Sequence, residues 1–206
     1  MDSHKNTFIQ EARKQQIIAA TITTLDDIGY IKASLAQIAK RATISTALIS
    51  YHFADRQDLI DQSLQALLEQ SATFILTKTY AADDPATQLA NFIEASIAYQ
   101  ATHPKENAAL LEIIFNARTA EDVPYYKISD DGEDPLLKAL CKILEDGKEQ
   151  GAFTVDSVQV TAKVIQGAIG EYMLIGGPIS VEAEEYSQEV IKIMWAAMKV
   201  EGHKNA

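Results

Sequence analysis

Cysteine and long apolar runs are almost absent from this chain of 206 residues. Because Cys141 is the single cysteine, an intramolecular disulfide and a metal site built from several cysteines are both excluded. Cys141 lies in a helical pattern, which favours a small buried hydrophobe over a reactive thiol. No apolar run approaches the roughly 18 residues of a membrane-spanning helix, and the first residues lack the apolar core of a signal peptide. We therefore expect a cytoplasmic protein that does not enter a membrane.

Glycine and proline are also scarce, at nine and five residues, which argues against an all-β or linker-rich chain. The motifs of common enzyme classes are missing: there is no Walker loop, no glycine-rich dinucleotide turn and no His-x-x-x-His spacing. The four histidines are scattered, and nothing singles out a Ser–His–acid triad. We therefore expect no enzyme activity, no cofactor and no metal ion.

Positive charge is in short supply as well, since the net charge is −11. The distribution is uneven, because residues 1–60 hold seven Lys or Arg against six Asp or Glu, whereas residues 61–206 hold 11 against 23. The acidic excess thus lies outside the N-terminal segment. A nucleic-acid-binding function for that segment remains open, with modest and strongly salt-dependent nonspecific affinity.

The most informative segment is 34–59, whose pattern predicts two short helices joined by a three-residue turn. Ser34 and Ser45 are suited to cap the two helices, and residues 43–45 form the turn between them. Ile49 and Phe53 are four residues apart, so they share one face of the second helix and can be buried together. A third helix is predicted to begin at Asp55. This is the arrangement of a helix-turn-helix.

The opposite face of the second helix carries small and polar side chains, which are Thr46, Ala47, Ser50 and Tyr51. A helix without bulky apolar residues on its outer face can approach base edges and phosphates closely. Helix pairs of this kind also occur in proteins that never touch DNA. From the pattern alone, both interpretations remain open.

Several fixed spacings over residues 10–60 resemble the DNA-binding domain of the TetR-type (TetR/AcrR) repressor family. The matching features are Gly29-Tyr30, Ile38-Ala39, Ser45 at the start of the second short helix, His52-Phe53 at its end, and Arg56. The resemblance implies an all-α protein with an N-terminal three-helix domain over 1–54 and a helical effector-binding and dimerisation domain over 55–206. It also implies a homodimer. The 48–53 segment resembles the branch that includes choline-responsive repressors, a likeness confined to the DNA-contacting part.

By this resemblance, Ala47 and Ser50 should lie nearest the bases of double-stranded DNA. The expected phosphate contacts, which fix register rather than sequence, are Ser34, Ser45, Thr46, Tyr51, His52 and Arg56. Two positions depart from the family pattern. Thr43 stands where the family usually has glycine, and Ser50 stands where it often has tyrosine. A β-branched residue is costly at the first position if its φ is positive.

The rest of the chain reads as a succession of helices separated by proline and glycine signals. Helices are predicted over 8–28, 55–80, 85–103, 105–118, 135–150, 156–175 and 181–200, with an acidic loop over 119–134 for which we favour a disordered or mobile state. The 105–118 helix is apolar nearly all round and should be buried. On it, Glu112 and Asn116 are either a solvent-facing strip or a polar patch in a pocket.

A sensor domain needs a pocket with aromatic walls and a few polar anchors. The candidates for binding an unknown small-molecule effector are Phe92, Tyr99, Phe115, Arg118, Tyr126, Gln166 and Glu171, and each could equally be plain core or surface. The last two helices could form a four-helix dimer interface or an ordinary core within one chain. The candidates for the interface are Ile169, Tyr172, Met173, Ile191, Met194 and Trp195.

These observations predict a ligand-responsive DNA-binding regulator, a repressor that binds a palindromic operator as a dimer and is released by its effector. The alternative is a helical module that binds a small molecule or a protein and carries a vestigial DNA-binding domain.

Overall fold

The computed structural model describes residues 2–128, 134–174 and 181–198, and every regular element in these ranges is helical. The α-helices in chain order are α1 (Asp2–Lys32), α2 (Leu35–Ala42), α3 (Thr46–His52), α4 (Arg56–Thr79), α5 (Pro85–Thr102), α6 (Pro104–Asn116), α7 (Pro135–Glu149), α8 (Val158–Leu174) and α9 (Ala183–Ala197). A short 3₁₀ helix covers Tyr125–Lys127. The predicted all-α class is confirmed.

Most predicted helix ends agree with the structure because they depend on local capping. Asp84 and Asp134 each accept a backbone N–H of the following turn, and a proline occupies the first helical position after each of them. The first helix was expected to end at Gly29, and the structure has a break there, with φ 75° and ψ 165°, before helical backbone resumes to Lys32. Residues 175, 199 and 200, which were predicted to end two helices, lie outside the described residues.

The structure describes residues 119–128 of the predicted loop, and this part contains a turn, a bridge and a short 3₁₀ helix. Thr119 and Val123 form a tight turn in which the Thr119 N–H donates to the Val123 carbonyl at 2.9 Å. Arg118 and Pro124 form an isolated antiparallel bridge, and the 3₁₀ helix follows. Residues 129–133 of this loop lie outside the described part of the chain.

The chain divides into two compact units. The first comprises residues up to 69 together with the α6 region, 104–128, and the second comprises 70–103 and the described residues from 134 onward. This division differs from the boundary between residues 54 and 55 that the resemblance implies. That boundary concerns function, and it stays a prediction.

The first unit contains two apolar clusters. One joins α1, α2, α3 and the start of α4, and its members with zero exposure are Ile17, Ile38, Ile49 and Leu59. The other joins α1, α4 and α6, and its members with zero exposure are Leu25, Ala33, Ile60, Ala109, Ile113 and Ala117. Helix α6 is therefore packed in the same unit as the N-terminal helices.

The expectation that the 105–118 helix is buried holds for only one side of α6. Ala109 and Ile113 are fully buried on the side that packs with α1, whereas Phe115 is 56% exposed and Asn116 is exposed. An apolar composition did not reveal that only one face of the helix has a partner within this unit.

The second unit is built around α5, which packs with α7, α8 and α9. Leu89, Phe92, Ile93 and Ile97 are buried on α5, and Leu140, Ile143 and Leu144 are buried on α7. None of the helices in the described ranges has both the length and the apolar character needed to cross a lipid bilayer.

Candidate nucleic-acid interface

Ser34 caps the start of helix α2, as the sequence predicted. The Ser34 hydroxyl accepts the Gln37 N–H at 3.3 Å, which satisfies one of the backbone donors left free at a helix start. Ile38, Ala39 and Ala42 face the cluster shared with α1. The short helix is thus held by its cap and by one buried face.

The turn after α2 is closed by a residue in the left-handed region. Thr43 has φ 58° and ψ 44°, and the next N–H, that of Ile44, donates to the Ala39 carbonyl at 3.0 Å. A left-handed conformation costs an L-residue about 1–2 kcal/mol, and a β-branched side chain suffers most. The turn therefore keeps the geometry that glycine favours, although threonine occupies the position.

Helix α3 presents the face that the sequence predicted. The Ser45 hydroxyl accepts the Leu48 N–H at 3.2 Å, and Ile49 and Phe53 are buried beneath the helix. The residues exposed on its outer side are Thr46, Ala47, Ser50 and Tyr51, while His52 is half-buried. This outer face is small and polar, and it carries no carboxylate.

Tyr51 is the one large side chain on this face, and it is 69% exposed. Its ring meets that of His52 edge to face at 5.0 Å, and the Gln10 amide donates to its hydroxyl at 3.4 Å. Sequence analysis did not identify Gln10. No local pattern could have found this contact, since it joins α1 to α3 across 41 residues.

Arg56, a predicted phosphate contact, is held by the protein itself. Its Nε donates to the Ala33 carbonyl at 2.9 Å, and a terminal nitrogen donates to the Tyr30 carbonyl at 2.5 Å. The guanidinium carbon lies 4.3 Å from the centroid of the Tyr30 ring, a cation–π contact. Arg56 thus joins the start of α4 to the segment that connects α1 and α2.

Carboxylates near α3 are engaged locally. Asp55 accepts the Asp58 N–H at 2.9 Å, which confirms the predicted cap at the start of α4. Asp58 accepts the Gln62 amide and the Ala54 N–H, each at 2.8 Å, and these hydrogen bonds lower the pKa of its carboxyl. Arg41 forms an ion pair with Asp27. The carboxylates of Asp55, Asp58 and Asp27 therefore accept local hydrogen bonds or form an ion pair.

The predicted ligand-binding residues are distributed over both units. Phe115, Arg118 and Tyr126 belong to the first, where the two aromatic rings lie 6.2 Å apart and Arg118 pairs with Asp122 at 3.2 Å. The other four belong to the second unit. Phe92 and Tyr99 are buried in its core, Gln166 is half-buried, and Glu171 is exposed. Their role in binding an effector stays a prediction.

Two open depressions in the second unit have volumes of about 330 and 390 Å³. Both are lined by Glu94 and Ala98 of α5, one also by Lys78 and the other also by Glu184. No predicted ligand-binding residue lines either depression. Among the described residues, no group of three His, Cys, Asp or Glu side chains is placed to hold a metal ion.

The predicted dimer-interface residues lie on α8 and α9. Ile169, Ile191 and Met194 are buried in the core of the second unit, and Tyr172, Met173 and Trp195 are half-buried. The exposed apolar residues of these helices are different ones: Val160, Val164 and Leu174 on α8, and Ile193 on α9. Participation of the six predicted residues in a dimer stays a prediction.

Residues 17–62, which contain α2 and α3, match the family model of the bacterial regulatory proteins of the tetR family. Among curated proteins, the chain is similar to the HTH-type transcriptional regulator BetI of Stenotrophomonas maltophilia (strain R551-3), with 29% identity over 89 residues, 43% of this chain and 45% of that protein. BetI of Klebsiella pneumoniae (strain 342) is 33% identical over 76 residues, 37% of this chain and 39% of that protein. The chain thus spans less than half the length of these relatives.

Solved structures extend the likeness to the whole fold. FadR from Bacillus subtilis, in complex with stearoyl-CoA, has a TM-score of 0.75 at 18% identity, covering 92% of this chain and 99% of that one. A bacterial regulatory protein in the tetR family from Rhodococcus RHA1 has a TM-score of 0.75 at 14% identity, covering 90% and 96%. The chain thus has an N-terminal segment that matches the tetR family model and a described fold similar to that of these solved proteins.

Proposed function

We propose that the chain is a DNA-binding transcriptional repressor, which acts in the cytoplasm and binds a palindromic operator as a homodimer. The observation that carries the proposal is the division of α3 into two faces. Ile49 and Phe53 are buried beneath it, while Ala47 and Ser50 are exposed on its outer side. This face belongs to the segment that matches the tetR family model.

The chemistry of that face suits the major groove. Small side chains at Ala47 and Ser50 let the helix come close to base edges, and the Ser50 hydroxyl can donate or accept a hydrogen bond there. Hydroxyls at Thr46 and Tyr51 can contact phosphates, which fixes register on the duplex. An α-helix with its side chains is about 10–12 Å in diameter, and the major groove, about 12 Å wide, admits it.

Dimerisation is proposed through the exposed side of α8 and α9. Val160 and Val164 are one helical turn apart, and Gly167 and Gly170 leave open space where side chains would otherwise stand. Such a surface lets a second helix approach closely. A two-fold dimer would place two α3 helices on the half-sites of a palindrome.

Release by a small-molecule effector completes the proposal. An effector can shift the repressor away from its DNA-binding form only if it binds the other form more tightly. The predicted residues Phe92, Tyr99, Phe115, Arg118, Tyr126, Gln166 and Glu171 remain the candidates for contacting it. Support comes from the fold, since the similar FadR from Bacillus subtilis was solved with a small molecule, stearoyl-CoA.

The test is a fluorescence anisotropy titration of the full chain against labelled duplex from its own promoter region, at two salt concentrations, beside a random duplex. We expect binding to the promoter duplex to be at least about 10³-fold tighter than to random DNA. Ala47→Asp places a carboxylate on the exposed face and should strongly weaken binding to the promoter duplex, because it repels phosphates and blocks the close approach of α3 to the base edges. The matched control, Ala101→Asp, changes an exposed residue of α5 in the second unit and should bind as the unaltered chain does.

The promoter duplex and the random duplex could bind equally weakly because the operator lies elsewhere. A second experiment would therefore select duplexes from a random-sequence library. If no selected duplex binds more tightly than random DNA, the proposal is contradicted. That result would favour the alternative, a helical binding module with a vestigial DNA-binding domain. Threonine at position 43, serine at position 50 and the near-neutral charge of residues 1–60 favour that alternative.

A further inference from the structure

A single carboxylate on α6 contacts the point at which α1 breaks. Gly29 leaves the helical region, with φ 75° and ψ 165°, and the Tyr30 N–H that follows donates to Glu112 Oε2 at 2.7 Å. A carboxylate accepting a backbone N–H forms a charge-assisted hydrogen bond, which is shorter and stronger than one between neutral groups. Glu112 therefore fixes the chain direction at the start of the segment that leads into α2.

Gly29 is what allows the carboxylate to come so close. A Cβ at this position would lie 3.3 Å from Glu112 Oε2 and 3.6 Å from its carboxyl carbon. The positive φ of Gly29 is itself a conformation that other residues adopt at a cost. The break and the contact thus depend on the same residue.

The contact continues from Tyr30 to Arg56. The Arg56 guanidinium stacks on the Tyr30 ring and donates to the carbonyls of Tyr30 and Ala33. Ala33 is fully buried, and Ser34, the next residue, caps α2. An unbroken series of contacts therefore leads from Glu112 to the N-terminus of α2 and the start of α4.

We propose that Glu112 is a positioning residue for DNA binding, which acts through Tyr30 and Arg56 and sets the orientation of the α2–α3 pair on α6. This inference rests on the proposed function, because the orientation of α3 matters only if α3 contacts DNA. The contact lies within the first unit, so it does not depend on the placement of the second.

A second attachment reinforces the first. The Tyr125 hydroxyl, in the 3₁₀ helix that follows α6, donates to the Asp61 carboxylate and accepts the Gln57 amide, the latter at 2.8 Å. Both partners lie in the first turns of α4. Besides the apolar cluster, the α6 region thus makes two separate polar contacts with the N-terminal helices, of which that of Glu112 lies next to the α1–α2 connection.

The experiment uses the full chain and the duplex that it selects from a random-sequence library. Glu112→Ala should weaken binding to that duplex about tenfold or more and leave binding to a random duplex within about twofold, since misorientation affects base contacts more than charge. The Tyr30 amide proton resonance should move upfield. Glu112→Gln keeps an acceptor at the same reach and should restore binding to within about threefold.

Two further variants keep the test decisive. Glu112→Asp retains the charge but withdraws the carboxylate by one methylene, so it should behave as Glu112→Ala does and remains informative if the alanine variant fails to fold. Glu106→Ala, in the first turn of the same helix, is the matched control and should leave binding and the Tyr30 resonance unchanged.

Selective binding by the unaltered chain together with unchanged binding by the folded Glu112 variants would overturn the inference and leave the proposed function intact. Failure of Glu112→Gln to restore binding would also overturn it, because the acceptor would then not be what matters. If the unaltered chain selects no duplex, the proposed function fails and the positioning role fails with it.

Discussion

Glu112 and Tyr30 are joined by a hydrogen bond of 2.7 Å across 82 residues of sequence. The bond connects α6 to the break in α1, next to the segment that leads into the helix-turn-helix. Sequence analysis considered Glu112 as part of a solvent-facing strip or of a polar patch in a pocket. The structure gives it a different partner, a backbone N–H of α1.

Replacement of Arg56 by lysine should destabilise the first unit although the charge is kept. Lysine lacks the planar guanidinium that stacks on Tyr30 and donates to two carbonyls at once. We expect a loss of about 1–3 kcal/mol in the free energy of unfolding. Urea denaturation followed by circular dichroism would measure it.

The matched control is Arg13→Lys, which changes an arginine that donates to the exposed Gln16 side chain at 2.6 Å. It should unfold at the same urea concentration as the unaltered chain. Unaltered stability of Arg56→Lys with weakened DNA binding would instead assign Arg56 to a phosphate contact alone.

Replacement of Thr43 by glycine should stabilise the chain. Glycine adopts the left-handed conformation of this turn without steric cost, which removes about 1 kcal/mol of strain and outweighs its greater entropy when unfolded. The thermal unfolding midpoint should rise by about 2–4 °C. Thr23→Gly, inside α1, serves as the control and should lower the midpoint, because glycine disfavours a helix interior. A lowered midpoint for both variants would show that Thr43 makes a contact worth more than its strain.

Stability should depend on Tyr125 at alkaline pH. Burial, as the larger cause, and the hydrogen bond to Asp61 raise the pKa of Tyr125 from 10.0 to about 12. A phenol with a raised pKa contributes stability in full below pH 10, and this contribution is lost as the pH rises from about 10 to about 12. Tyr125→Phe should therefore be less stable at pH 8, and its difference from the unaltered chain should shrink towards pH 12.

Urea denaturation at several pH values would give this difference in the free energy of unfolding. Ultraviolet titration at the tyrosinate band should show that Tyr125→Phe has one phenol fewer with a pKa near 12. Tyr126→Phe, an exposed neighbour in the same 3₁₀ helix, is the control and should follow the unaltered chain at every pH. If the difference in the free energy of unfolding between Tyr125→Phe and the unaltered chain stays constant across the pH range, the pKa of the Tyr125 hydroxyl is the same in the folded and unfolded chain, and the prediction is wrong.

A charge at Val164 should disrupt the proposed dimer. Val164 is 51% exposed on α8, so glutamate there costs little in a monomer but is buried without a partner in a helix–helix interface. Val164→Glu should shift the sedimentation velocity profile to a monomer and weaken operator binding. Ile31→Glu, an equally apolar exposed site in the first unit, should leave the oligomeric state unchanged. A dimer that persists in Val164→Glu would place the interface elsewhere.

Much of the candidate interface could be predicted because its determinants are local. Ser34 and Ser45 cap α2 and α3 as expected, and the four-residue spacing of Ile49 and Phe53 places both beneath α3. The exposed face of α3 follows from the same periodicity. The sequence raised the question of whether the residue at position 43 is strained, and the left-handed φ of 58° at Thr43 shows that it is.

Capping and helical periodicity act within a few residues, so the caps of α2, α3 and α4 and the polar face of α3 could be predicted from the amino-acid sequence. Long-range packing was needed to show that Arg56 is held by Tyr30 and Ala33, that Tyr125 reaches Asp61, and that Phe115 is exposed on an apolar helix. These outcomes depend on which helix faces meet. A periodic pattern shows that a face is apolar, but the partner of that face is selected by packing across many residues of sequence.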